Sequence, residues 1–266
     1  SVVSSKLVIR GGTITNNGLV QYGGNNGSAA IQLSRAALLT MLGGKIVNNA
    51  NLGNAGSAGA GVCLKEGCVF NMYDGEIADN AIGSTGGGVC SADESVFNMY
   101  GGYILRNTSS SYGGGVFSSG FFNLYGGEIA NNSTETWGGG ICVESGDINV
   151  YGGKICNNAA RFGGGIYINY ADVSCISGVE ISGNTAKNGD GGGIYVNNVN
   201  SSRMSTINEV SITENSADYG GGIYIGPNGY CEIGDCVISK NTSTHNGSGV
   251  LAHNGGDAYI YGNLRV

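Results

Sequence analysis

Apolar residues along this chain come in short runs, and glycine or asparagine punctuates each of them. In the stretch 137–158, WGGGICVESGDINVYGGKICNN, the runs are Ile141-Cys142-Val143, Ile148-Asn149-Val150-Tyr151 and Ile155-Cys156. Between them stand Gly138-Gly139-Gly140, Ser145-Gly146-Asp147 and Gly152-Gly153. No run is long enough for a helix. Val, Ile and Tyr fit a pleated strand and glycine disfavours helix interiors, so one copy of the pattern predicts three strands joined by tight corners.

The copy recurs along the whole chain. The apolar residue after the glycine cluster is Ile31, Val62, Val89, Val116, Ile141, Ile166, Ile194, Ile223 and Val250, at gaps of 25 to 31 residues. A second anchor runs beside it. Ile14, Ile46, Ile77, Ile104, Ile129, Ile155, Ile181, Ile212 and Ile238 are each followed three residues later by asparagine: Asn17, Asn49, Asn80, Asn107, Asn132, Asn158, Asn184, Asn215 and Asn241. A repeat of this length with three strands and no helical segment predicts an all-β, single-stranded parallel β-helix, a solenoid of about nine to ten turns. One turn alone buries too little. Stacking the next turn about 4.8 Å above satisfies the backbone and extends a core of like on like, which makes a rod roughly 45 Å long.

The periodic asparagines suit corners, where Asn tolerates left-handed backbone angles and its amide can bond neighbouring main chain. Stacked, they are expected to bond one another as an internal structural ladder.

The paired motifs GGG-[VI] (113–116, 163–166 and 220–223) and I-x-x-N, with alanine following at Ala81, Ala186 and Ala217, resemble right-handed β-helix repeat surface proteins. They are similar to the polymorphic outer-membrane-protein type of repeat, whose motifs are GGA-[ILV] and F-x-x-N. This chain has Gly for Ala and Ile for Phe. The resemblance covers nearly the whole chain and implies a right-handed coil and a surface-exposed passenger or adhesin.

Composition narrows the classes. Glycine accounts for 52 of 266 residues and proline for one, without the G-X-Y period of collagen, and 41% hydrophobic residues are too many for disorder. The unbroken repeat points to one elongated domain over 1–266. Twelve basic residues against nineteen acidic ones leave a net charge of −7, and the basic residues form no stripe, so nucleic acid is not an expected partner. No apolar run reaches membrane-spanning length. Neither end carries a cap, which predicts a fragment of a longer protein or a unit that associates end to end.

Eight cysteines are present, but most stand where the repeat otherwise holds apolar residues: Cys63, Cys90 and Cys142 share a slot with Phe117, Tyr167, Tyr195 and Tyr224. They are expected to be buried packing residues. Cys63 and Cys90 fall on adjacent turns, and Cys63/Cys68 and Cys231/Cys236 flank short corners, so a few bridges are conceivable. No paired C-x-x-C exists, the only histidines are His245 and His253, and no metal site or cofactor is expected.

Three outward ladders are the candidate functional surfaces. Alternation sends Asn71, Asn98, Asn123 and Asn149, and with them Tyr73, Tyr100, Tyr125 and Tyr151, to one face. Stacked rings and amides stabilise neighbouring strands, and they are also what a carbohydrate-binding face is made of. Beside the glycine clusters, Tyr112, Trp137 and Phe162 recur on successive turns, with Tyr219 later; they either cover the corner or form a platform. Lys45, Glu76, Tyr103, Glu128, Lys154 and Glu180 make a mixed-charge row, expected to tune stacking and solubility. Residues 19–28 and 51–61 are glycine- and asparagine-rich excursions, and after Ala171 the third strand acquires a longer corner.

Enzymes that act on polysaccharides also use β-helices, and their chemistry needs clustered carboxylates, often with a cation alongside. Here Asp93-Glu94, Asp74 with Glu76 and Asp79, and Glu144 with Asp147 are the available groups, none with a recurring Lys, Arg or His beside it. The resulting expectation is a non-enzymatic segment displayed outside the cell or on its surface. It would act as an adhesin or stalk binding a glycan or a host surface protein, with no direct membrane insertion. A polysaccharide-active lyase or hydrolase is the alternative, and a purely structural or end-to-end assembling filament unit is the third reading.

Overall fold

The computed structural model describes residues 5–18, 29–51, 59–171, 173–197, 205–253 and 255–263. All of their regular structure is strand, and each strand pairs in parallel with its counterpart one turn away. The chain is a parallel β-solenoid. A representative turn consists of Val116–Ser118, Phe121–Leu124, Glu128–Ala130 and Ser133–Thr134. The first three are the runs that the sequence marks; the fourth is a two-residue strand just past the ladder asparagine.

These strands build three faces. The first run belongs to a nine-stranded sheet, the second and third share a 17-stranded sheet, and the short fourth strands make an eight-stranded sheet. Nine strands in the first stack put eight complete turns between Ile31 and Val250, with partial turns at either end. That is one to two complete turns fewer than the nine to ten expected. The excursions at 19–28 and 52–58 lie outside the described residues.

Register explains the core. Phe97 pairs with Phe70 and Phe122, Ile104 with Ile77 and Ile129, and Val116 with Val89 and Ile141. All nine side chains are fully buried. Burying an aliphatic or phenyl side chain contributes about 1.5–3 kcal/mol, and the repeat secures this once per turn and per face. Phe70, Phe97 and Phe122 also stack at 4.8 and 5.1 Å, so aromatic attraction runs along the axis inside the core.

The asparagines form a continuous ladder from Asn17 to Asn241. Each side-chain amide donates to the Oδ1 of the asparagine one turn on, at 2.9–3.1 Å over all eight steps. The same Oδ1 accepts the backbone N–H as well, as Asn132 does from Asn107 at 2.9 Å. From Asn80 to Asn241 the amide's second hydrogen goes to an isoleucine carbonyl one turn back, for example Asn158 to Ile129 at 2.9 Å. Buried polar groups at the corner are thereby satisfied. One expectation needs correcting. The left-handed residue is not the ladder asparagine but the residue before it, such as Asn48 (φ 56), Arg106 (φ 53) or Asn157 (φ 55). The preceding residue takes the bend, leaving the asparagine in an ordinary backbone conformation with its amide aimed along the axis.

Glycine is required where the cluster meets this ladder. A Cβ on Gly115 would lie 2.6 Å from the carbonyl of Gly140 and 3.0 Å from Nδ2 of Asn132. The solenoid narrows there to backbone against amide.

The corner inside the long sheet comes in two forms. Gly102 and Gly127 have φ of +85° and +94°, and their missing side-chain space is filled by the Cε atoms of Met72 and Met99 from the preceding turn. After Ser177 the positive φ moves one residue earlier, to Gly178 (59), Glu209 (56) and Asp235 (44). The next residue then carries its own buried side chain: Val179, Val210 or Cys236. The longer corner expected from the sequence is not found: Val150 pairs with Ile176 and Lys154 with Glu180, so the two corners have equal length and differ only in which residue takes the bend.

Candidate functional site

The exposed ladder lies on the long sheet. In Val96–Met99 the burial alternates, Phe97 and Met99 pointing in and Asn98 out, so the next residue, Tyr100, faces solvent. Tyr73, Tyr100, Tyr125 and Tyr151 are 42–49% exposed. Their rings stack at 4.7, 4.9 and 5.6 Å with interplanar angles of 8°, 7° and 22°. Beside them Asn98 donates to Asn71, Asn123 to Asn98 and Asn149 to Asn123 at 2.8–3.0 Å. The outward residues predicted for this face are brought together as two parallel rows.

Stacking decides how the face can bind. Both faces of Tyr100 are covered, by Tyr73 and Tyr125, so no sugar ring can lie on it; it offers its edge and its hydroxyl. Partial desolvation first, and then the neighbouring phenols of Tyr73 and Tyr125, raise the Tyr100 pKa, which keeps that hydroxyl a neutral donor. Tyr151 is different. Val150 pairs with Ile176, so the position one turn on is Ser177, and the far face of the Tyr151 ring has no aromatic cover. The rows thus combine a line of hydroxyls and amides at inter-turn spacing with one open ring at the end.

The ladder beside the glycine clusters is built otherwise. Tyr112, Trp137 and Phe162 bridge successive turns and stack at 4.8 and 6.4 Å, but all three are half-buried. They close over the outer slot of the nine-stranded sheet, where Cys90, Phe117, Cys142, Tyr167, Tyr195 and Tyr224 make a second apolar cluster. The Arg161 guanidinium sits 5.1 Å over the Phe162 ring. These aromatics are therefore a lid on the sheet. Tyr219 does not continue the stack: Asp190 occupies the intervening rung, and Tyr219 instead stacks on His245 at 4.7 Å.

Sequence reasoning named Glu144, Tyr224 and His253 but missed the contacts that they make around this lid. Tyr224 Oη lies 3.0 Å from Nδ1 of His253, and the Asp190 carboxyl is raised by burial and by Asp218. Glu144, half-buried, accepts from Asn169 at 3.1 Å through Oε1, while its Oε2 is buried without a partner. Burial raises its pKa, against the Asn169 bond. The only sequence signal for these contacts was a shared repeat position, which does not reveal which side chains turn inward over the lid.

The mixed-charge row is in register as expected, Lys45, Glu76, Tyr103, Glu128, Lys154 and Glu180 being successive partners. Lys45 bonds Glu76 at 2.7 Å and Lys154 bonds Glu180 at 3.2 Å. Arg106, which the sequence reading left out, bonds Asp79 at 2.8 Å and Glu76 at 3.3 Å. The carboxylates of Glu76 and Asp79 are thus already matched by cations. The eight cysteine sulfurs are unbridged. Among the described residues no group of three or more His, Cys, Asp or Glu is placed to hold a metal ion, and no helix is long and apolar enough to cross a membrane.

No protein-family model matches this chain, and no curated protein and no solved structure matches it either. The class the structure defines is the parallel β-solenoid, with asparagine ladders inside and on one face.

Proposed function

We propose that this chain is a non-enzymatic segment of a surface-displayed, extracellular β-solenoid, an adhesin whose tyrosine–asparagine face holds an extended glycan. The observation that carries the reading is the pair of rows Tyr73–Tyr100–Tyr125–Tyr151, exposed, and Asn71–Asn98–Asn123–Asn149, half-buried, side by side over four turns. A glycan bound along them meets phenol hydroxyls and amides every about 4.8 Å. Its terminal sugar packs on the open ring of Tyr151. The likeness of the GGG-[VI] and I-x-x-N motifs to polymorphic outer-membrane-protein repeats supports display at a cell surface. A binding panel of purified neutral and acidic polysaccharides tests the reading. Saturable binding that falls at least tenfold in a Tyr125→Ala, Tyr151→Ala double variant is the expected result, and binding indifferent to both substitutions contradicts it.

A second reading has one specific observation behind it. Glu144, with its carboxyl raised by burial and one oxygen unpartnered, is the kind of group that serves as a general acid in glycoside cleavage. New reducing ends from a polysaccharide, lost in Glu144→Gln, would establish that reading in place of the first.

A further inference from the structure

The outward slot of the nine-stranded sheet begins with two cysteines. Cys63 and Cys90 are register partners on adjacent parallel strands, Val62–Leu64 and Val89–Ser91, and are 1% and 2% exposed. Side by side in register, the Cys90 thiol and the backbone N–H of Gly59 act as donors toward the Cys63 sulfur. Lys65, two residues along the strand, adds its positive charge. The hydrogen bond from Cys90 is the largest of these influences, and together they outweigh burial and lower the Cys63 thiol below its usual range. Cys90 is pushed the other way by that bond and by burial.

Cys142 is the control within the same slot. It pairs with Phe117 and Tyr167, and burial first, then the Glu144 charge, raises it far. Packing accounts for Cys142. It does not account for two thiols in register on adjacent turns with a lysine beside them. A cavity of about 500 Å3 opens over the pair, lined by Cys63, Lys65, Cys90, Asp93, Phe117 and Ser119. It gives a small reagent a route to sulfurs that present almost no surface.

We propose that Cys63 and Cys90 form a peroxide-reactive dithiol that closes into a disulfide between two successive turns of the solenoid. The Cys63 thiolate attacks one oxygen of hydrogen peroxide; the O–O bond breaks, hydroxide leaves and takes a proton from solvent, and Cys63 becomes a sulfenic acid. Cys90 then gives up its proton and its sulfur attacks Cys63; the S–O bond breaks and the oxygen departs as water. Two thiols and one hydrogen peroxide become one disulfide and two waters. Register partners stand about 4.8 Å apart at Cα, inside the range a disulfide spans.

The folded chain, titrated with hydrogen peroxide and digested under conditions that block thiol exchange, tests this by peptide mass mapping. The expected product is one Cys63–Cys90 cross-link, lighter by two hydrogens. It should form roughly tenfold or more faster than any change at Cys142, and at lower pH than an ordinary thiol requires. Cys90→Ser should stop at a Cys63 sulfenic acid that dimedone traps, and Cys63→Ser should abolish both products; circular dichroism of each variant verifies the fold. Oxidation of Cys142 or Cys231 at the same rate overturns the proposal. So does a native chain in which no cross-link forms while the urea-unfolded chain oxidises.

Discussion

Up to Tyr151 the long sheet turns its corner on paired small residues, and from Ser177 onward it turns on one left-handed residue followed by a buried side chain. In the first region the side chain missing at Gly75, Gly102 and Gly127 is replaced by the methyl group of Met41, Met72 or Met99 from the turn before. In the second, Val179, Val210 and Cys236 fill the corner from within their own turn. The stack of exposed tyrosines breaks where the corner changes: the residues in their column after Tyr151 are Ser177, Asn208 and Gly234, and a tyrosine, Tyr261, returns only on the last strand. A flat face of stacked rings is thus confined to the turns with glycine corners. The asparagine ladder, in contrast, passes through both regions unaltered, so the two differ in one edge and share the rest.

The largest expected effect belongs to what they share. Asn132→Ala and Asn184→Ala each remove an acceptor for a backbone N–H and a side-chain amide, and a donor to an isoleucine carbonyl. Leaving those buried groups unpaired costs about 2–4 kcal/mol, equally in both regions, read from urea denaturation. Unequal costs would mean that the regions differ in more than the corner.

Corner substitutions come next. Gly127→Ala places a Cβ 2.6 Å from the Gly102 carbonyl at a φ of +94°, and is expected to destabilise by about 1–3 kcal/mol. Gly178→Asn puts a residue that tolerates left-handed angles at φ 59, where Glu209 and Asp235 already stand at the equivalent corners, and should cost less than about 1 kcal/mol. Similar thermal shifts for the two variants would break the distinction between the corners.

Tyr100→Ala removes two ring contacts, at 4.7 and 4.9 Å. Stability should fall by about 0.5–1.5 kcal/mol. The smallest effect is electrostatic. Lys45 first, then Arg106, hold the Glu76 carboxyl below its usual range, so its folded value lies beneath the unfolded one. The stability this contributes is present above the ordinary glutamate pKa and is lost as pH falls through the lowered folded value. The pairs are partly exposed, so the loss should be under about 1 kcal/mol, should shrink in high salt and should vanish in Glu76→Gln. Urea midpoints at neutral and acid pH give the comparison.

The fold was legible because its signal is periodic. Ile104 and Asn107 recur at fixed spacing, and a like-on-like stack has only one way to keep Ile with Ile and Asn with Asn in register. The exposed rows followed from alternation within Val96–Met99. What periodicity could not show was direction at the corners. The sequence assigns left-handed angles to asparagine by propensity, yet the bend falls on residues as unlike as Arg106, Asp79 and Lys240, because position in the turn overrides residue preference. For Trp137 the sequence left a corner cover and a platform both open, and only its packing against Tyr167 shows it to be a lid. The Cys63–Cys90 adjacency could be counted off the repeat, but not the ammonium group or the cavity beside it.

The most direct measurement is binding of purified polysaccharides to the wild-type chain and to the Tyr125→Ala, Tyr151→Ala variant, with reducing ends followed in the same wells. Saturable binding by the wild type without new reducing ends, lost in a variant that still unfolds cooperatively, is what a tyrosine–asparagine glycan face predicts. Release of reducing ends, or binding that survives both substitutions, would contradict it.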